Sequence, residues 1–196
     1  MKIAAILALG ITALTFSTAL AQDQRAGGNR FAADLSGYNE VHFIFSPGPP
    51  AAAALRGAIS TNATGTFSAR IDDDAQTIEY ELTYSNLQGT VTQAHIHFGQ
   101  PHTVGGIVAW LCQTAGTPHP VPDLGTPTPT CPQSGTVTGT IGPLDVLTVT
   151  GQGIQAGEFA ELVRAIRAGA TYANVHSSPE FGAGEIRGHI GHGTQP

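Results

Sequence analysis

An all-β fold, an antiparallel Greek-key sandwich or barrel carrying one short helix, is what this sequence predicts. Three observations lead there. Apolar and polar residues alternate with period two in seven segments, those segments are separated by turn-rich stretches drawn from 25 Gly and 13 Pro, and helical spacing occurs in one place only. The strand segments are 63–71, 77–87, 91–98, 135–141, 146–150, 171–176 and 185–190, all rich in β-branched and aromatic residues. The helix is expected where Phe159, Leu162, Val163 and Ile166 fall at i, i+3, i+4 and i+7, with Gly169 as its C-terminal stop. No repeat of fixed period and no shift in composition marks a second domain.

Taken along the chain, residues 1–21 read as a secretory signal. Lys2 supplies the positive start, residues 3–20 are apolar or small, and Ala19-Leu20-Ala21 forms a small-x-small cleavage site. The competing reading, an N-terminal membrane anchor, is weakened by Thr12, Thr15, Ser17 and Thr18 and by the lack of a basic cluster after Gln22. No Cys follows the cleavage site to carry a lipid, and no later apolar run is long enough to span a bilayer. Residues 22–30 form a polar, Gly-rich leader expected to be flexible, 31–191 the β domain, and 192–196 a flexible tail. Pro47 to Ala54 interrupts the early strands as a loop.

Removal of the signal leaves 175 of the 196 residues, with seven Arg against 14 acids and no lysine, hence a formal charge of −7. Charged residues are only 11% of the whole, so neutral polar side chains must cover the surface. Such a chain lacks the basic footprint that binds nucleic acid or an anionic membrane. Cys112 and Cys131 are an even pair in an exported chain, which points to a disulfide worth about 3 kcal/mol. A thiolate metal site is the weaker alternative, because neither Cys has a second Cys or a His at short spacing. The five prolines between them exclude helix or central strand, so the bridge is expected to staple a surface loop.

Chemistry, if any, rests with eight histidines: His42, His95, His97, His102, His119, His176, His189 and His192. In 94–99, AHIHFG, the strand period sends Ala94, Ile96 and Phe98 to one face and His95 with His97 to the other, their bases about 7 Å apart. His176 alternates with Ala173 and Val175 on a second strand and can join them if the two strands pair. His102 or His189 is the expected fourth ligand, with Asn174 and Glu185 as supports that orient the rings. Neutral imidazoles in an oxidising compartment suit Cu(II) first by affinity order and Zn(II) second, and few acids lie near enough in sequence for calcium or magnesium. His42, His119 and His192 are weaker candidates, set at the start of the domain, in a Pro-rich loop and in a Gly-rich tail. The competing reading leaves His95 and His97 as a solvent-facing pair on a structural or protein-interaction domain of the envelope or extracellular space, with no metal. Ser177, Ser178, His176 and Glu180 crowd one strand and form no nucleophilic triad, and no G-x-S-x-G elbow exists, so any catalysis would be metal-based. A secreted or periplasmic metal-binding domain is the leading expectation.

The blocks 31–37 (FAADLSG), 39–41 (NEV), 94–99 (AHIHFG), 105–108 (GGIV) with Leu111, 172–177 (YANVHS) and 184–188 (GEIRG) together resemble the CHRD, or chordin, domain. The likeness runs over roughly residues 30–191. It implies a single extracellular domain of the type found in animal chordins and in exported bacterial proteins. The Cys-rich modules of chordin are missing, so growth-factor antagonism does not carry over. The Pro-rich 112–131 segment and His42 depart from the family pattern. A weaker similarity, to the H-x-H strand of copper-zinc superoxide dismutases, lacks that family's zinc-site Asp and histidine cluster and implies no dismutation.

Overall fold

In a computed structural model, the described residues are 28–44, 55–116 and 127–193. The signal at 1–21, most of the 22–30 leader, the 47–54 loop and His119 lie outside them. Eleven strands are described: β1 (Arg30–Ser36), β2 (His42–Ile44), β3 (Leu55–Gly57), β4 (Thr64–Asp72), β5 (Thr77–Ser85), β6 (Thr90–Phe98), β7 (Gly106–Gln113), β8 (Gly135–Ile141), β9 (Thr171–Ser178), β10 (Ile186–His189) and β11 (Gly191–His192). Among the described residues a helix, α1 (Phe159–Arg167), precedes β9.

One antiparallel sheet runs β7-β6-β9-β10-β1-β4-β5-β8, with β11 added on β1, and its two ends come together to make a nearly closed barrel. Phe31 and Leu35 of β1, Phe67 and Ile71 of β4, Ile78 and Leu82 of β5, Ile96 of β6 and Val175 of β9 fill the interior. Their alternation with exposed residues is the period-two signal of the sequence expressed as a pleat. At the seam between β7 and β8, Tyr80 donates its hydroxyl to the Leu111 carbonyl at 2.6 Å, and the Cys112–Cys131 disulfide ties the end of β7 to the segment leading into β8. Both half-cystines are buried in the core, so the bridge itself lies within the barrel's closing edge and not only at its surface.

The helix obeys its sequence pattern. Phe159, Leu162, Val163 and Ile166 are buried in the common core, and Gly169 takes φ +64°. Ala170 N–H reaches Ala165 O at 2.9 Å and Gly169 N–H reaches Ile166 O at 3.0 Å, the paired bonds of a Schellman stop.

Three expectations need correction. Residues 146–150 are not a strand: Val146 and Val149 are buried, but they sit between a 3-10 turn at Pro143–Asp145 and the positive-φ Gly151 and Gly153, leaving only a Val149–Ile154 bridge. Arg30 belongs to β1, opposite Arg70, and not to a leader. His192 pairs with Phe31 through β11, so the tail begins later than expected.

Five described strands, β1, β2, β3, β7 and β11, fall outside the predicted segments, and the two long ones do so for different reasons. In β7 the run Ile107 to Cys112 is continuously apolar, because both of its faces are covered, so it shows no alternation. In β1 the alternation of Phe31, Ala33 and Leu35 is plain and was a legible signal.

Candidate metal centre

Strand β6 lies between β7 and β9, and its odd-numbered residues 95 and 97 face away from the barrel interior. In the antiparallel register with β9, His95 stands opposite Asn174, His97 opposite Tyr172 and Gln93 opposite His176. His176 is thus the diagonal neighbour of His95 on one face, within reach of a long side chain. Register shifts in the β6–β7 ladder fall between Ala94 and His95 and between Ile96 and His97, bulges that turn these two side chains relative to the pleat.

The three imidazoles converge. One ring nitrogen from each of His95, His97 and His176 lies within 4.8 Å of the other two, and all three residues are buried. His95 Nδ1 is 3.2 Å from His176 Nε2, and the ring centroids stand 5.4 Å (95–97), 4.8 Å (95–176) and 6.0 Å (97–176) apart. Two rings have their outer nitrogen fixed by backbone. His97 Nδ1 donates to the Gly105 carbonyl at 2.9 Å, and His176 Nδ1 donates to the Gly182 carbonyl at 3.0 Å. A carbonyl can only accept, so in each neutral ring Nε2 carries the lone pair and is aimed inward. Carbonyl support of this kind sets ring orientation in metal sites.

Burial keeps the His97 and His176 rings neutral. His97 is lowered to about 3, by burial first and then by the neighbouring His176, partly offset by its bond to Gly105, with the Arg187 charge adding to the depression. His176 is lowered to about 4 by burial, partly offset by its bond to Gly182. At neutral pH both carry a lone pair on Nε2; that of His176 accepts from His95 Nδ1, and that of His97 has no hydrogen-bond donor.

Aromatic and charged neighbours hold the cluster. The Tyr172 ring stacks parallel on His97, with centroids 4.8 Å apart, and its hydroxyl accepts the Gly105 N–H at 3.1 Å. Gly105 therefore links the two: its N–H binds Tyr172 and its carbonyl binds His97. A Cβ at Gly105 would lie 1.8 Å from the Phe98 carbonyl oxygen, so only glycine lets the loop come this close. Trp110 of β7 meets His95 edge to face at 4.3 Å. Arg187 is buried, with its guanidinium 3.7 Å over the Tyr172 ring and Nη1 donating to the Thr103 carbonyl at 2.7 Å.

The remaining site candidates sit elsewhere. His102 is exposed, with φ +61° in the loop after β6, and takes no part in the cluster. His189 lies on β10 beside Tyr172, ring centroids 5.9 Å apart, and is also outside the three-histidine group. Neither completes the ligand set. Asn174 shares the face of His176, but its amide donates to Glu40 Oε2 at 2.6 Å and to the Ile186 carbonyl at 2.9 Å. Glu185, fully buried, accepts from Thr61 Oγ1 at 2.7 Å, from the Gln88 N–H at 2.8 Å and from Ser177 Oγ. It ties loops to β9 and orients no histidine. Its neighbour Arg187 turns to Tyr172 and Thr103. Backbone carbonyls perform the orienting task instead, which no side-chain pattern in the sequence can reveal. Outside the cluster, His42 packs against Phe181 at 6.2 Å and His192 against Phe31 at 4.8 Å.

The family model for the CHRD domain matches residues 31–190. The chain belongs to the CHRD domain family. The match begins one residue into β1 and ends one residue after β10, so the CHRD domain accounts for the barrel, the helix and the histidine cluster together. None of the curated proteins compared with the chain matches it. No helix among the described residues is long and apolar enough to cross a membrane, and the disulfide of this CHRD domain fits an oxidising, extracellular setting.

Proposed function

We propose that this chain is an exported CHRD domain, secreted or periplasmic, that binds one transition-metal ion through His95, His97 and His176, copper in preference to zinc. The supporting observation is the convergence of three buried imidazoles, two with their outer nitrogens tied to carbonyls so that the inner ones share one small space. Surface histidines have no physical reason to be desolvated together on one face, because burying three polar rings costs free energy unless their nitrogens find partners. His95 Nδ1 and His176 Nε2 already partner each other at 3.2 Å, and the ion would give the inward His97 Nε2 its partner. Imidazole donors suit copper and zinc, and the cluster contains no carboxylate of the kind calcium and magnesium require. The role is binding, with no catalytic residue assigned.

The test is metal titration of the purified exported chain against a His95→Ala/His97→Ala double variant, followed by thermal unfolding. At free metal 100-fold above Kd, the wild type should gain about 2.7 kcal/mol that the variant does not. Equal shifts in both proteins would leave a structural or protein-interaction domain as the remaining reading.

A further inference from the structure

The charge and coordination number around the cluster point to the oxidation state of its metal, a question that rests on the metal-site reading above. We infer that the His95, His97 and His176 centre is built for cuprous copper, a monovalent ion in three-coordinate geometry, and discriminates against divalent zinc and cupric copper. Three features of the cluster and its surroundings carry this.

Ligand number comes first. Among the described residues only three ligand atoms converge, and neither His102 nor His189 supplies a fourth. Structural zinc is almost always tetrahedral, and cupric copper favours four tetragonal ligands. With His95 at 0%, His176 at 5% and His97 at 7% exposure, solvent is held back from the position a fourth ligand would take. A closed-shell monovalent copper ion is content with three imidazoles.

Charge is the second feature. None of the three ligands is an anion, so the full charge of the ion remains in the buried site. Arg187 then adds a cation. Its guanidinium lies 3.7 Å from the Tyr172 centroid and the His97 ring 4.8 Å from that same centroid. The two groups cannot share one face without overlapping, so they flank the tyrosine and stand within about 8.5 Å of each other. Among the described residues no carboxylate comes within ion-pair distance of Arg187. Its charge is met by the Thr103 carbonyl and the Tyr172 face, with the buried Glu40 farther off. One extra unit of charge on the ion, repelled across that distance at an effective dielectric of about 20, disfavours a divalent ion by about 30-fold, or about 2 kcal/mol.

The third feature is the setting. Tyr172 and Trp110 wall two of the rings with aromatic surface, which offers a cation polarisable faces and no anionic oxygen.

The experiment uses the purified exported chain under anaerobic conditions with ascorbate. Cu(I) is titrated by competition with bicinchoninate and Zn(II) by competition with a zinc indicator, and the Cu(I) form is examined by X-ray absorption. Trp110, the one tryptophan of the chain, reports loading by fluorescence. Expected are one Cu(I) per chain with three nitrogen scatterers, Zn(II) bound at least about 30-fold more weakly, and a ratio that falls by a similar factor in Arg187→Gln. Should Arg187→Gln not fold, the wild-type coordination number and ratio still decide. Zn(II), or Cu(II) titrated separately without ascorbate, held as tightly as Cu(I), or a four-coordinate Cu(I) centre, would overturn this inference and leave the metal site standing. If no ion binds, or His176→Ala changes nothing, the metal site itself falls.

Discussion

Acid should destabilise the metal-free chain through the histidines proposed to bind metal. His97 and His176 have native values near 3 and 4, against about 6.5 in the unfolded chain. Both are depressed, so the unfolded chain binds protons that the native chain refuses whenever the pH lies between those limits. The stability from keeping these rings neutral is therefore present above about pH 6.5 and lost as the pH falls towards the native values. The limiting slope is about 1.4 kcal/mol per pH unit for each ring. Between pH 6 and pH 5 the unfolded rings are already partly protonated at the start, so each costs about 1 kcal/mol and the pair about 2. Glu40 works the other way, since burial raises its carboxyl and lets the native chain take up a proton first. A comparison cancels that contribution. Urea unfolding in chelator at pH 5, 6 and 7 should show the wild type losing about 2 kcal/mol more over this step than a His97→Gln/His176→Gln variant. Identical losses in the two proteins would refute the claim that these rings are neutral by burial.

Other consequences are open to measurement. Tyr172→Phe keeps the ring on His97 and removes the hydroxyl that accepts from Gly105; metal affinity should fall by about 10- to 100-fold while urea stability changes by only about 1 kcal/mol. Glu185→Gln should lower stability through its bonds to Thr61, Gln88 and Ser177, with competition titrations showing metal affinity within about threefold of wild type. Reducing Cys112–Cys131 should cost about 3 kcal/mol in urea unfolding, and thiol labelling of unreduced, denatured protein should detect no free thiol. Gly169→Ala forces a side chain into φ +64° and should lower the melting temperature by the equivalent of about 1 kcal/mol.

Local physics made much of this protein legible before any coordinates. Period-two alternation marks Phe67, Ala69 and Ile71 as one inward row, because a strand exposes successive residues to opposite faces. The spacing from Phe159 to Ile166 and Gly169 likewise fixes a short helix and its stop, since both depend on neighbours in sequence. His95 and His97 are placed on one face by the same rule. The disulfide follows from the count of cysteines. Residues 146–150 escaped that rule because flanking Pro143, Gly151 and Gly153 turn the chain before a ladder can form.

Tertiary structure alone decided which distant groups meet. The β6–β9 register, set by how rows such as Ile96 and Val175 pack into the interior, brings His176 to His95 and leaves His189 two strands away on β10. It was also tertiary structure that replaced Asn174 and Glu185 by the Gly105 and Gly182 carbonyls as the groups orienting the rings. Every residue carries a carbonyl, so its role comes from where the loop runs and leaves no mark in residue type. Burial of Arg187 behind Tyr172 has the same origin: residue type fixes the charge of a guanidinium, and only the fold fixes what surrounds it.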